Sequence, residues 1–187
     1  TSFAGNLGIT WNQVLATGGS GTLSFSGARV QLIDSALTGN GLALDFATTG
    51  TQRQGVQIVR TDISTGNGDV RFGALQVVTS PRRGTTAAAE PWVEVDGQSD
   101  SAALAIRNST IDAGTGSITG GGANHAFGDG TEVLGSTLSA RRSTLAGRSE
   151  FGFGLMLDTA SLTATTQLAL DGRSAGTSTS GSTGLHI

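Results

Sequence analysis

Apolar and other residues alternate along much of this chain. Leu23-Ser24-Phe25, Leu42-Ala43-Leu44-Asp45-Phe46, Val70-Arg71-Phe72 and Leu168-Ala169-Leu170 each place an apolar side chain at every second position. That is the period of a β-strand with one face buried. Gly-rich turns cut every run short, and no stretch carries a helical period through them. The pattern predicts many short strands and little helix.

The strands recur inside a larger unit. Val30-Gln31-Leu32-Ile33-Asp34-Ser35-Ala36-Leu37-Thr38-Gly39-Asn40-Gly41-Leu42-Ala43-Leu44 reappears in outline from Val56 to Phe72 and from Leu104 to Ile118. Weaker copies run through Ser143-Thr144-Leu145 and Ala160-Ser161-Leu162. The shared order is apolar-x-apolar, a polar pair, small-x-apolar, a Gly/Asn/Thr turn, then apolar-x-apolar again. Such a unit cannot bury its apolar side alone and must stack on its neighbour, which predicts an all-β solenoid. Gly39-Asn40-Gly41, Gly66-Asn67-Gly68 and Gly114-Thr115-Gly116 supply residues that tolerate positive φ at sharp corners. The same Asn-Gly pairs suit hairpins, so a sandwich or barrel is the rival architecture. Leu37 to Ile63 is a step of 26 residues, Ile63 to Ile111 is 48 (two steps of 24), and Leu145 to Leu162 is 17. The spacing suggests roughly eight or nine coils at about 4.8 Å each. Leu37, Ile63, Ile111, Leu145 and Leu162 should then stack inward along one side.

Two stretches break the pattern. Thr79–Pro91 holds both prolines of the chain and reads as a loop leaving the stack, and Gly120–Gly130 reads as a second. Neither is long enough for a separate domain, so residues 1–187 are expected to be one β-helix segment. The unfinished pattern of Leu185-His186-Ile187 suggests a piece of a larger protein.

Composition changes the picture in a few places. Gly, Thr and Ser together make 76 of 187 residues, but 36% of the chain is hydrophobic and only 13% is charged, so it can bury a core. Absence of Cys excludes a disulfide framework, a thiolate metal site and a Cys nucleophile. It does not exclude secretion, because a repetitive stack needs no staples. All 11 basic residues are Arg and the net charge is −3, with the charges scattered, which argues against a nucleic-acid-binding face. No apolar run approaches the roughly 18–20 residues of a membrane helix. Thr1-Ser2-Phe3-Ala4-Gly5 does not read as a signal peptide.

Gly55-Val56-Gln57-Ile58 through Gly68-Asp69-Val70-Arg71-Phe72 resembles repeats of the filamentous haemagglutinin family of large secreted bacterial exoproteins. Gly21-Thr22-Leu23-Ser24-Phe25-Ser26-Gly27 is similar to the β-helical passengers of autotransporters. The resemblance covers most of the chain. It implies a right-handed parallel β-helix, secreted or held at the bacterial cell surface, that mediates attachment or presents a distal domain. The partners it implies are a host-cell or surface glycan or protein receptor and, for the full-length protein, an outer-membrane secretion partner. The N-terminal secretion-domain signatures of two-partner exoproteins are not evident, which implies an internal piece.

An enzyme on the same fold is the rival function. Lyases of this solenoid class use acidic calcium ligands with a basic Arg or Lys, and hydrolases use paired carboxylates. Asp34, Asp62 and Asp112 occupy similar places in three repeats, which would align them on one face; the plainer expectation is solvated Asp beside turns. Arg60 and Arg107 lie near these acids and are expected in a surface charge ladder. Arg82, Arg83, Trp92 and His125, in or beside the two breaks, are the candidate ligand contacts. Arg141-Arg142 form a second basic pair, and Trp11 suits either a sugar or a coil edge. His125 lacks a Cys or a second nearby His, so no transition-metal site is expected. Gly128-Asp129-Gly130 appears once, whereas calcium-binding nonapeptides work in series. The Gly-rich stretches lack the Lys of a phosphate loop. Gly172-Arg173-Ser174-Ala175-Gly176 fits a nucleophile elbow in letters, but the Thr/Ser run after it cannot supply the helix. The expectation is a stalk or adhesin with no catalytic residue, metal or cofactor.

Overall fold

A computed structural model describes residues 1–4, 9–27, 29–48, 55–73, 75–77, 102–125, 129–149, 153–174 and 184–187. Among them are nineteen strands and no helix: β1 (Ser2–Ala4), β2 (Ile9–Asn12), β3 (Leu15–Gly18), β4 (Gly21–Gly27), β5 (Val30–Ile33), β6 (Ala36–Gly39), β7 (Leu42–Thr48), β8 (Val56–Val59), β9 (Asp62–Ser64), β10 (Val70–Phe72), β11 (Gln76–Val77), β12 (Ala102–Arg107), β13 (Thr110–Asp112), β14 (Ser117–His125), β15 (Asp129–Leu134), β16 (Thr137–Ser149), β17 (Leu155–Asp158), β18 (Ser161–Ser174) and β19 (Leu185–His186).

Every described pairing is parallel. Seven strands form one sheet in the order β19-β17-β15-β12-β8-β5-β2. The larger sheet has two limbs, β3-β6-β9-β13 and β1-β4-β7-β10-β14, and β16 pairs with both. Each pass therefore visits the seven-stranded sheet, then one limb, then the other. The result is a parallel β-solenoid of about five turns, not a hairpin sandwich.

The coil number is lower than the spacing suggested. Ile63 and Ile111 are direct partners, so the 48 residues between them are one step with additional chain, not two steps of 24. The inward row on the first limb is Ala16, Leu37, Ile63, Ile111, Leu138 and Leu162. Leu138 stands where Leu145 was expected. The letters Ser-Thr-Leu occur twice, at 136–138 and 143–145, and only the first copy brings a buried serine to the corner that precedes this row. Leu145 instead continues the row Phe3, Phe25, Phe46, Phe72, Gly120, Leu145, Leu170 on the second limb.

The first four members of that row form a stack of rings. Phe25 and Phe46 lie 5.1 Å apart at 6°, Phe46 and Phe72 5.2 Å apart at 14°, and Phe3 and Phe25 5.6 Å apart at 18°. The 4.8 Å strand spacing sets this separation, because equivalent side chains in adjacent tiers are carried at the tier distance. Each such pair contributes about 0.5–1.5 kcal/mol beyond the apolar area it buries. Trp11 closes the start of the stack edge-on, 4.8 Å from Phe25 and 5.1 Å from Phe3, so it packs at a coil edge.

Turns between the limbs fall where expected, with positive φ at Gly41 (86°), Gly66 (69°) and Gly114 (54°). The expected loop at 120–130 is largely strand. Gly120–His125 completes β14 and pairs with Leu145–Ser149 across an irregularity between Gly120 and Ala123, and Asp129 opens β15. Gly120 and Gly130 seat close neighbours: a Cβ on Gly120 would meet the Leu145 side chain at 3.2 Å, and one on Gly130 would meet Arg148 N at 2.4 Å. The expected loop at 79–91 lies outside the described residues. No helix among those described is long and apolar enough to cross a membrane, which says nothing of a β-barrel.

Candidate functional site

The polar pair of each repeat makes the corner after the seven-stranded sheet. Its first residue turns the chain at positive φ: Gln13 (56°), Asp34 (49°), Arg60 (45°), Asn108 (48°), Gly135 (56°) and Thr159 (50°). Strand register stacks them in one column. Non-glycine residues resist this conformation, so something must hold it. Inter-tier backbone bonds do so: the N–H of Asp34 donates to Val59 O (3.1 Å), of Arg60 to Arg107 O (3.0 Å) and of Asn108 to Leu134 O (2.9 Å).

The second residue of the pair is small, buried and hydroxylated. The Ser35, Thr61, Ser109 and Ser136 hydroxyls donate to the carbonyls of Ile33, Val59, Arg107 and Leu134 at 2.7–2.9 Å. They accept the N–H groups of Val14, Ser35, Thr61 and Ser109 from the tier before at 3.1–3.3 Å. One hydroxyl per tier thus satisfies a buried amide that the corner would otherwise orphan.

On the outside of this corner Arg60 grips Asp34 with two hydrogen bonds, the Nη2–Oδ2 contact being 3.0 Å. The guanidinium, by hydrogen bonding first and charge second, holds the Asp34 carboxyl below its ordinary range. Both side chains are more than a third exposed. With Gln13, Ala36 and Asp62 they line a shallow open depression.

The three candidate acids do not align. Asp34 stands in the corner column, Asp62 pairs with Ala36 and Thr110, and Asp112 pairs with Ser64 and Ser139, two and four positions further along the strand. Asp112 accepts the Ser139 hydroxyl (2.7 Å) and the Gly114 N–H (2.9 Å), tying down a turn. Arg107 is not in a surface ladder. It is buried with Glu132, Nη2–Oε2 2.6 Å, on the outward side of the seven-stranded sheet. Arg141 and Arg142 are exposed at the irregularity of β16 between Ala140 and Arg142. Gly172-Arg173-Ser174 runs straight through β18 with Arg173 on Asp171, so the elbow is absent there. His125 ends β14 and its backbone pairs with Ser149. Arg82, Arg83 and Trp92 lie outside the described residues. Among the described residues no three His, Cys, Asp or Glu side chains converge as a metal site.

Compared with protein-family models, curated proteins and solved structures, the chain matches none. Its chemistry is therefore read from the geometry alone.

Sequence reasoning missed the outward column of the seven-stranded sheet. There Thr10 donates to Gln31 (3.1 Å) and Gln31 to Gln57 (2.9 Å), and the Arg107–Glu132 pair follows in the later tiers. Ile33 and Val59 form a small apolar cluster beside them. The signal was present. Val30–Ile33, Val56–Val59 and Ala102–Arg107 are buried at every position, and the pairs Leu32-Ile33 and Ile58-Val59 put apolar side chains on both faces, unlike a half-exposed strand.

Proposed function

We propose that this chain is a non-catalytic β-helical segment of a large secreted or surface-exposed bacterial protein, serving as a stalk or adhesin. The observation that supports it is where the reactive side chains sit. Asp34 is gripped by Arg60, Asp112 fastens a turn, Arg107 is buried with Glu132, and the corner hydroxyls bond the backbone between tiers. Asp34, Asp112 and Arg107, which a lyase or hydrolase would aim at a glycan, are thus engaged in holding the stack, and Asp62 stands exposed in a different column. A rod of this kind offers reach and a long lateral surface.

A panel of acidic and neutral polysaccharides, incubated with the chain with and without calcium, tests this reading. No new reducing ends or unsaturated products are expected. Turnover that disappears in Asp34→Asn, Asp62→Asn or Asp112→Asn would replace it with a polysaccharide lyase or hydrolase. Retention of the chain on immobilised glycans or host-cell surfaces, lost when Arg82 and Arg83 become Ala, would make it an adhesin; no retention leaves the stalk.

A further inference from the structure

The turns between the two limbs carry a chemistry that stacking does not use. Two of them contain Asn-Gly, Asn40-Gly41 and Asn67-Gly68, while the third has Thr115 at that place. Asn followed by Gly is the step at which a backbone nitrogen most readily attacks the preceding carboxamide, because Gly has no Cβ in the way. The Gly nitrogen bonds to the Asn Cγ and loses its proton, and the side-chain nitrogen leaves as ammonia. Water then opens the five-membered imide to Asp or isoaspartate. The Gly N–H must be free to approach and to be deprotonated.

Here both glycine nitrogens are occupied, and by the same acceptor. Gly41 N–H donates across the tier to Thr65 O at 2.9 Å, and Gly68 N–H donates to it at 3.2 Å. The Asn67 N–H donates to it as well, at 2.8 Å. Thr65 is fully buried, and its hydroxyl donates to the Gly68 carbonyl at 2.7 Å, which fixes the far side of that residue. Asn40 and Asn67 themselves are exposed, so water and base reach the amides.

We infer that Asn40 and Asn67 are paired latent deamidation sites, both held off by one buried carbonyl, Thr65 O, and released together when that corner opens. Conversion adds a carboxylate, and isoaspartate also adds a backbone atom, to turns that must repeat at about 4.8 Å. Sustained or repeated opening is thus recorded irreversibly in two adjacent tiers.

The test holds the folded chain, and the chain unfolded in urea, in mildly alkaline buffer at body temperature. Peptide mapping by mass spectrometry follows amide-to-acid conversion, and hydrogen exchange follows the Gly41 and Gly68 amides. Both sites are expected to convert at least about tenfold more slowly in the folded chain, and to speed up together as sub-denaturing urea raises the two exchange rates. Thr65→Val, which removes the clamp on the Gly68 carbonyl and keeps the side-chain shape, should speed Asn67 more than Asn40. Equal rates in folded and unfolded chains, or two sites that respond independently to urea, would overturn the inference. If Thr65→Val does not fold, the wild-type comparison decides alone.

Discussion

The early and late coils keep the same register but differ in cross-section. From β4 to β10 each pass turns between limbs at a positive-φ glycine, and a stacked ring fills the space beneath the second limb. In β16 and β18, of 13 and 14 residues, the chain runs straight through that place, with only an irregularity near Ala140-Arg141-Arg142. The ring row continues as Gly120, Leu145 and Leu170. Here the end of the second limb comes close to the seven-stranded sheet. A Cβ built on Gly147 would stand 2.0 Å from Gly154 O and 2.7 Å from Thr131 N, and the Thr131 hydroxyl donates to Ala146 O at 2.9 Å. The solenoid fixes the tier spacing through its hydrogen bonds, while the residues between the limbs decide whether the chain turns or runs on.

Breaking the ring stack should have the largest effect. Phe46 is fully buried between Phe25 and Phe72, so Phe46→Ala removes two ring contacts and opens a cavity that neither strand can collapse into. A loss of about 3–5 kcal/mol is expected from denaturant midpoints. A loss below that of an ordinary surface substitution would show that the early coils do not depend on their rings.

Late coils should be sensitive to added volume where the second limb meets the seven-stranded sheet. Gly147→Ala drives a methyl group into backbone atoms of Gly154 and Thr131, which cannot rotate away, and about 1–3 kcal/mol should be lost. Gly18→Ala is the control: a Cβ there meets nothing within 4 Å, and the change should stay within about 0.5 kcal/mol. Equal costs at the two glycines would show that Gly147 has room against Gly154 and Thr131 after all.

How much of this was legible follows from what period and spacing record. Strand period, turn glycines and inward Leu37, Ile63, Ile111 and Leu162 are all consequences of local alternation, and they stand in the sequence. Coil number does not, because a 48-residue interval reads alike as two coils or as one coil with added chain. Leu138 and Leu145 sit in identical tripeptides, and only inter-tier pairing separates them. The Gly-rich stretch 120–125 reads as a loop because close packing, as at Gly120 under Leu145, and chain reversal favour the same residue. Among candidate site residues, Arg60 was expected in a surface charge ladder near the acids and does meet exposed Asp34; Arg107 was expected there too and is buried, because register sets it beside Glu132 on the covered side of the sheet. Register, not composition, decides which charges meet.

Core quality offers a third contrast. The inward row Leu23, Leu44, Val70, Ile118 gives way to Ser143, whose buried hydroxyl finds no hydrogen-bond partner among the described residues. An unsatisfied buried hydroxyl costs stability, and Ser143→Ala removes it with almost no change of volume. A gain of about 1 kcal/mol is expected in the denaturant midpoint. A loss would mean that the hydroxyl is satisfied and contributes to the late core.

The smallest effect separates the same regions by charge. In the corner column the early tiers carry Asp34 on Arg60, whereas the later tiers carry Asn108, Gly135 and Thr159, which do not titrate. The Arg60 guanidinium, by its hydrogen bonds and then by its charge, holds the Asp34 carboxyl below the ordinary carboxylate value. Because the folded-state value is the lower one, the pair's contribution is fully present above the ordinary value. It is lost as pH falls from there through the folded value. Both groups are well exposed, so the contribution is small and should shrink further in high salt. Hydrogen exchange of the Asp34 and Arg60 amides, followed from neutral to acid pH, should show the early corner loosening before the Asn108 corner does. Asp34→Asn should abolish that lead without altering exchange at Asn108. An unchanged acid response in the variant would assign the loosening to another carboxylate and leave the two corners electrostatically alike.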